Sequence, residues 1–531
     1  MATPRPRRRN RVLRSRAVAS DWTALVLGLA RSLPQSQTHS LAFCLALGLT
    51  LWGITGCQTQ PSGVAAHEAA PAQQPPSLIL LITVDALRAD AIGALAGDPP
   101  EISPTPHLDR LVAEAQWASR AIAPASESAP ALASVLTGLR PWQHGVLHGG
   151  AGELSESVFT LAEALRERGY ETHAYVDGYW PRRGSGYQQG FETYRPTGRG
   201  KRASGHLASL DGSPSFVWVH LDEPTPPYPL KTKMQERFQR PGLKLPQRVA
   251  QPDLEPFRNP RRTLSPEGRE SIWPLYLSSV MRLDRQVGRL LDAVTESGLR
   301  DSSAVAFTSL HGEEFGEQGQ IRHGNNLGRA ALEVPLLLRV PSGDALSVGE
   351  EGQTLSNQQL FATFLSLAGG APAPGTSPSL MEGAEAVVSE HYLGNGVNLF
   401  SLVQGDRQLV RRVRFSEADR SYFRARRAHA LRPRGAGSGG RTATPSIAEQ
   451  EANLLFQRLE EAFMETPPFE GASGPIHEAL FHWPASSESP TFRERIREPA
   501  TQRDMGKQLE RQWKAFAPPD IPPSLRPDPP R

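Results

Sequence analysis

Five side chains stand where a fold could use them for chemistry: Asp85, Ser128, His220, His311 and His323. Asp85 closes the apolar run LILLITV (78–84). Its carboxylate is either a ligand at the mouth of a sheet or the N-cap of a following helix, a role Asp fills well. Ser128 heads SAPALASVLTG (128–138), an apolar run with Pro in its first turn. That pattern is a helix start with Ser as N-cap, and equally a hydroxyl nucleophile at a helix N-terminus, a position suited to anions. His311 follows the apolar run AVAFTS (304–309). His220 lies inside SFVWVHL (215–221), where a core role is the simpler reading, and His323 sits in the turn Arg322-His323-Gly324, where a surface hydrogen bond is. Zinc could use one carboxylate and imidazoles, but a catalytic zinc takes three strong protein ligands. Magnesium and calcium want several hard oxygens. A hydroxyl nucleophile also needs a base, and none adjoins Ser128 in the sequence.

The elements that must position these groups alternate from Leu78 onward. Apolar runs at 78–84, 172–176, 215–221, 304–309 and 334–340 read as buried strands. Between them HLDRLVAEAQ, ESVFTLAEALRERG and YLSSVMRLDRQVGRLLDAVTESG carry helical patterns. Buried strands separated by helices predict an α/β domain with a largely parallel central sheet flanked by helices. Its chemistry should sit at the carboxyl ends of the strands. Residues 224–270 are Pro- and charge-rich and read as an excursion over the site. The alternation stops near 371–377, and EAVVSEHYL and QLVRRVRF beyond it suggest a smaller antiparallel subdomain. GAGSGGRTATPS (435–446) reads as a linker, EQEANLLFQRLEEAFME as an amphipathic helix, and the Pro-rich end after Ala517 as disordered. The expected organisation is therefore a signal (1–56), a tether (57–77), the α/β domain (78–371) and the smaller C-terminal part (372–531).

Three segments, LILLITVDALRADAIG (78–93), SAPALASVLTGLRPWQHGV (128–146) and VAFTSLHGEEFGEQGQIRHGNNL (305–327), together resemble the sulfatase branch of the alkaline phosphatase superfamily. That branch usually reads VDDLR in the first, C/S-x-P-x-R at the head of the second and SDHGEEFGEHG in the third. The resemblance implies a family α/β fold, metal positions at Asp85 and His311, and a nucleophile position at Ser128. It also marks the departures: Ala86 replaces the second acid, Leu132 the Arg that braces the nucleophile, and Leu310 the Asp before His311. FVWVHLDEPTPPY (216–228) resembles a further family segment in which His220 is kept and Thr225 replaces a substrate-contacting His. Tyr179 and Pro181 occupy the places of a Lys-x-His pair, and Gln318 replaces another His. His220 and His323 remain catalytic candidates by position, while Glu313 and Glu314 read as solvated or structural. Ser128 could attack directly or be oxidised to formylglycine, and Leu132 weighs against the second. One carboxylate and one imidazole leave any divalent cation, whether calcium, magnesium or zinc, weak or absent.

The amino terminus sets the compartment. Seven Arg lie within residues 1–16, an uncharged apolar run spans Leu41 to Ile54, and Ile54-Thr55-Gly56-Cys57 follows. The run is shorter than the ~20 residues a membrane span needs. Basic, apolar and small-residue regions in that order describe a secretory signal, and Cys57 resembles a bacterial lipobox cysteine, lipidated and made the first mature residue. The expected location is the outer membrane or the periplasmic face. Cys44 and Cys57 are the two cysteines of the chain, so the mature protein has neither a disulfide nor a Cys-derived formylglycine. Residues 1–56 carry eight Arg against Asp21 and account for +7 of a chain total of +3, leaving −4 for the remainder. Nothing in that balance suggests nucleic acid. The Arg-rich stretch from Arg411 to Arg434 reads as a solvated face, or as a contact for anionic glycans or lipid phosphates.

These readings give a divergent sulfatase-like lipoprotein with an impaired site that binds an anionic ligand, glycan or partner in the old cleft. The alternative is an active metal-dependent sulfate or phosphate ester hydrolase or transferase using Ser128.

Overall fold

A computed structural model describes residues 74–414, apart from 98–99, 116, 150–152, 230–247, 255–263, 318–320, 342–353, 372–375, 385, 395–396 and 405–406, together with residues 476–482. The signal, Cys57, the tether as far as residue 73, Gln318, the linker at 435–446, the amphipathic helical pattern beyond it and the Pro-rich end lie outside the described residues. Among the described residues no helix is long and apolar enough to cross a membrane.

Strands β1 (Leu78–Val84), β2 (Trp117–Ile122), β3 (Glu171–Val176), β4 (Thr193–Arg195), β5 (Ser215–Leu221), β8 (Ser303–Ser309) and β9 (Glu333–Arg339) form one sheet in the order β2-β9-β8-β1-β5-β3-β4. A short hairpin of β6 (Tyr228–Pro229) and β7 (Arg248–Val249) stands apart. β1 pairs in parallel with β5 and with β8, and β3 pairs in parallel with β5 and β4. β9 runs antiparallel to β8 and to β2, so the sheet is mixed but mostly parallel. Every residue of β1, β5 and β8 is buried, as expected of strands covered on both faces. That is why they read as uninterrupted apolar runs.

Helices α1 (Pro106–Glu114), α2 (Ser128–Thr137), α3 (Leu161–Arg166), α4 (Lys201–Leu207), α5 (Pro266–Glu296) and α6 (Leu360–Leu367) flank the sheet. Two apolar clusters divide them. Ile79, Leu81, Phe216 and Trp218 face α2, α3 and α6, while Leu80, Ile82, Val217 and Val219 face α1, α4 and α5. The alternation along β1 and β5 is the two-residue strand period. Helix α5 is longer than its apolar pattern suggested. It starts at Pro266, capped by the Ser265 hydroxyl accepting from Gly268 N at 3.1 Å, and runs 31 residues through Pro274. The excursion over the site therefore gives way to helix before residue 270. Conversely, the helix expected over 156–169 is confined to α3, opened by a Thr160–Glu163 capping box.

Past the main domain lies an antiparallel sheet of β10 (Val387–Gly394), β11 (Val397–Gln404), β12 (Arg407–Arg414) and β13 (Ile476–His482). Arg411, Arg412 and Arg414 lie on β12, while the rest of the Arg-rich stretch is outside the described residues. β10 docks on the approach to α2: Glu390 N donates to Pro124 O at 2.9 Å and the Ser389 hydroxyl to Ala123 O at 2.6 Å.

Candidate functional site

The site forms where β1, β5 and β8 end together. Register places Val84 opposite both Leu221 and Ser309, so the residues just past these strands meet. Leu310 N donates to Val84 O at 2.8 Å, and Leu87 N donates to the Ser309 hydroxyl at 2.9 Å. Those bonds set Asp85 beside His311 and His220: Asp85 Oδ1 lies 3.6 Å from His311 Nε2, and Asp85 Oδ2 lies 3.6 Å from His220 Nε2. Asp85 caps no helix. Its Oδ1 is buried with no hydrogen-bond partner, and the N-cap of the helical turn that follows is Arg88.

Ser128 opens α2, and the N-cap position falls on Glu127. The Ser128 hydroxyl turns into the cleft instead, 3.0 Å from His311 Nε2. The other ring nitrogen, Nδ1, lies 2.8 Å from the Gly312 carbonyl. A carbonyl oxygen can only accept, so Nδ1 carries the proton and Nε2 presents a lone pair to Ser128. Ser128 thus has an imidazole beside it, 183 residues away in the sequence. No local reading of the chain could find that partner.

His323 packs against His311 with ring centroids 4.1 Å apart and the planes tilted by 36°, and its Nδ1 bonds Glu313 Oε1 at 3.1 Å. The Tyr228 hydroxyl donates to Glu313 Oε2 at 2.8 Å. Glu313 and Glu314 are fully buried, so the expectation that they are solvated is wrong and the structural one right. His220 is buried, with Nδ1 2.9 Å from the Thr83 hydroxyl, which in turn accepts from Trp218 Nε1 at 2.9 Å. The catalytic candidates therefore differ in reach. Ser128 and His311 touch each other, His220 touches Asp85, and His323 braces His311 from one side.

Burial disfavours charge on Asp85, but the hydrogen bond and charge of His220 and the charges of His311 and His323 outweigh it, drawing this carboxyl down to about 2. Burial, followed by the charge of His323, pushes His311 down to about 4, so at neutral pH the imidazole is uncharged beside an ionised Asp85. Asp222, just past β5, is an acid that the sequence did not single out. Burial and then the charge of Asp85 raise it to about 6. The floor of the cleft is therefore acidic.

The replaced positions explain the rest. Leu310 and Leu132 are fully buried and belong to the same apolar cluster. Hydrocarbon packs at both positions, so neither leaves a buried charge in need of a partner. Leu310 accordingly serves the core, while Asp85, Ser128 and His311 converge. Ala86 keeps a φ of +56°, held by the Tyr276 hydroxyl donating to its carbonyl at 2.8 Å. This left-handed region suits Asp or Asn better than Ala.

The sequence profile described as Sulfatase matches residues 77–202 and 201–371. The class that the fold and the profile define is thus the sulfatases of the alkaline phosphatase superfamily, and the chain belongs to the sulfatase family. It is 26% identical over 354 residues to human iduronate 2-sulfatase, covering 52% of this chain and 62% of that enzyme. It is 24% identical over 353 residues to the multifunctional alkaline phosphatase superfamily protein PehA of Trinickia caryophylli, covering 49% of this chain and 68% of PehA. The chain thus spans about six tenths of the human enzyme's length. Among solved structures, BT4656, solved in complex with its substrate D-glucosamine-2-N,6-O-disulfate, superposes with a TM-score of 0.57 at 15% identity, covering 83% of this chain and 98% of that one. The 2-O GAG sulfatase BT1596 gives 0.52 at 15% identity over 64% and 83%. These likenesses support the fold.

The family implies a divalent cation, and the hard donor at the centre of the site is the Asp85 carboxylate. Asp85 contributes the single carboxylate of the family set that remains, with imidazoles as its neighbours. Among the described residues no group of three or more His, Cys, Asp or Glu side chains is arranged to hold a metal ion. Calcium and magnesium take six or more oxygen ligands, several of which can be water.

Proposed function

We propose that this protein is an exported, lipid-anchored member of the family whose metal-dependent ester chemistry is impaired, and whose cleft holds a glycan. The observation that carries the impairment is the burial of Leu310 and Leu132 in one apolar cluster at the positions of the family's acid and Arg. A cation held by Asp85 without those acids is weak or absent. An incoming sulfate would then face Asp85 and Asp222 unscreened. At 4 Å and an effective dielectric of 20, two such charges repel by about 4 kcal/mol.

The rim favours a sugar. Tyr179 is 65% exposed, meets Trp180 edge-on, and has the Arg182 guanidinium 4.7 Å from its ring centre. An aromatic face beside a guanidinium suits a sugar ring and any anionic substituent held away from the acidic floor. Gly178, next to Tyr179, packs against Asp222, which ties this rim to the cleft. The Cys57 lipid would hold the domain at the outer membrane or the periplasmic face.

Metal analysis and turnover assays on the purified full chain test this reading. The expected result is substoichiometric metal and negligible hydrolysis of aryl sulfate, phosphate and phosphonate esters with magnesium, calcium, manganese or zinc. Robust metal-dependent turnover that disappears in Ser128→Ala would overturn it, and would favour the alternative of an active hydrolase.

A further inference from the structure

Ser128 and His311 are in direct contact. We propose that Ser128 and His311 form a metal-free nucleophile–base pair that hydrolyses neutral carboxylic esters, such as an acyl group on a sugar. The inference rests on the loss of the metal centre proposed above and adds a chemistry to it.

Geometry carries the argument. A base must lie within about 2.6–3.2 Å of the proton it takes, and His311 Nε2 is 3.0 Å from Ser128 Oγ. The base must itself be oriented, and the Gly312 carbonyl does this by accepting from Nδ1 at 2.8 Å. This is the logic of nucleophile, base and orienting group, with a backbone carbonyl as the third member. The imidazolium formed when His311 takes the proton would lie 3.6 Å from the Asp85 carboxylate, which offsets part of the cost that burial and His323 place on that charge. His323, packed at a tilt with its ring centre 4.1 Å away, limits rotation of the ring. The start of the helix would supply the oxyanion binder. Ser128 is the first residue of the ten-residue α2, and the first amides of a helix have no acceptor within it. The Ser128 and Ala129 N–H groups can therefore face a developing oxyanion.

The charge of the floor selects the substrate. A sulfate or phosphate ester brings its own negative charge against Asp85 and Asp222, whereas a carboxylic ester arrives neutral. Its negative charge develops during the reaction, together with a positive charge on His311. In the first step Ser128 Oγ bonds to the acyl carbon as its proton passes to His311 Nε2. The tetrahedral intermediate collapses, the bond from carbon to the alcohol oxygen breaks, and His311 returns the proton to that oxygen. Water then attacks the acyl-serine while His311 takes its proton. The carboxylic acid departs as the proton is restored to Ser128.

The test uses the full chain in detergent with EDTA, a fluorophosphonate probe and 4-nitrophenyl acetate. The expected results are a phosphonyl adduct mapped by mass spectrometry to Ser128, release of 4-nitrophenolate, and loss of both in Ser128→Ala. His311→Gln should slow labelling by about 100-fold or more. Because His311 is fully buried, that variant is read only if its melting curve matches the unsubstituted protein. Ser128→Ala removes one oxygen and keeps the test decisive if it does not match. No adduct at Ser128, equal esterase activity in Ser128→Ala, or labelling that requires added metal would each overturn the proposal. A protein that is metal-poor and inert toward every ester would sink this inference alone. Metal-dependent sulfatase turnover would instead sink the reading it rests on.

Discussion

Replacing Leu310 by Asp returns the family's acid to a site that now packs hydrocarbon, and its cost can be worked out from the surroundings. Leu310 is fully buried in the cluster that contains Leu132. Losing its apolar burial costs about 2 kcal/mol. The new carboxyl would face Leu132 with no cation beside it, so it avoids a buried charge only by staying protonated. At pH 7, holding a proton against an ordinary pKa of about 3.9 costs about 4 kcal/mol. The total is about 6 kcal/mol at pH 7 and about 3.5 at pH 5. The sign follows from the raised folded-state pKa. The folded state keeps a proton that the unfolded chain has released, so the variant loses stability as pH rises from about 4 to 7. Urea denaturation of the variant and the unsubstituted protein at both pH values measures this. Adding Ala86→Asp supplies a second acid at a φ of +56° that accepts it. The double variant should then recover about 2.7 kcal/mol when calcium reaches 100 times its dissociation constant. The reasoning is refuted if Leu310→Asp is as stable as the unsubstituted protein at both pH values. It is refuted equally if calcium stabilises the unsubstituted protein as much as the double variant.

Burial raises the Glu390 carboxyl to about 8 despite Arg140 and the Trp142 amide, so its contribution to stability is present at low pH and is lost as pH rises from about 4.5 through 8. Glu390→Gln should flatten that decline and stabilise the protein at pH 9 by on the order of 2 kcal/mol, measured by thermal melts across pH; an unchanged profile would contradict it. A Cβ at Gly312 would lie 2.0 Å from the Ala330 carbonyl oxygen, so Gly312→Ala must displace the segment carrying His311. It should cost about 3 kcal/mol or more and should also abolish any labelling of Ser128 in the folded fraction. Cys57→Ala should free the protein from membranes or trap the uncleaved precursor, seen by fractionation and immunoblotting; an unmodified mature start downstream of Cys57 in mass spectra would exclude the anchor.

The sequence by itself determined the layers of the fold. β1, β5 and β8 are buried on both faces, and their apolar runs announced that with bounds correct to about one residue. It also determined which family positions had changed, since Ala86, Leu132 and Leu310 are readable without coordinates. Less legible were β2, masked by mixed WASRAI (117–122), and the three-residue β4, too short for any period to show. What the tertiary structure alone decided is the relation between residues far apart in the chain. Ser128 looked like an N-cap because a Ser before an apolar run usually is one. It turns to His311 because the parallel register brings the end of β8 level with the end of β1, beside the start of α2. Asp222 looked like an ordinary loop acid, and only folding buries it and brings it toward Asp85, which together raise its pKa. Glu313 and Glu314 are charged residues in a loop, which local pattern assigns to solvent, yet Tyr228, His323 and Asn326 reach over to bond them inside the protein. Strand burial is written in local hydrophobic period, which a sequence displays directly. The protonation and pairing of a site depend on which distant groups share a few ångströms, and only the folded chain sets that.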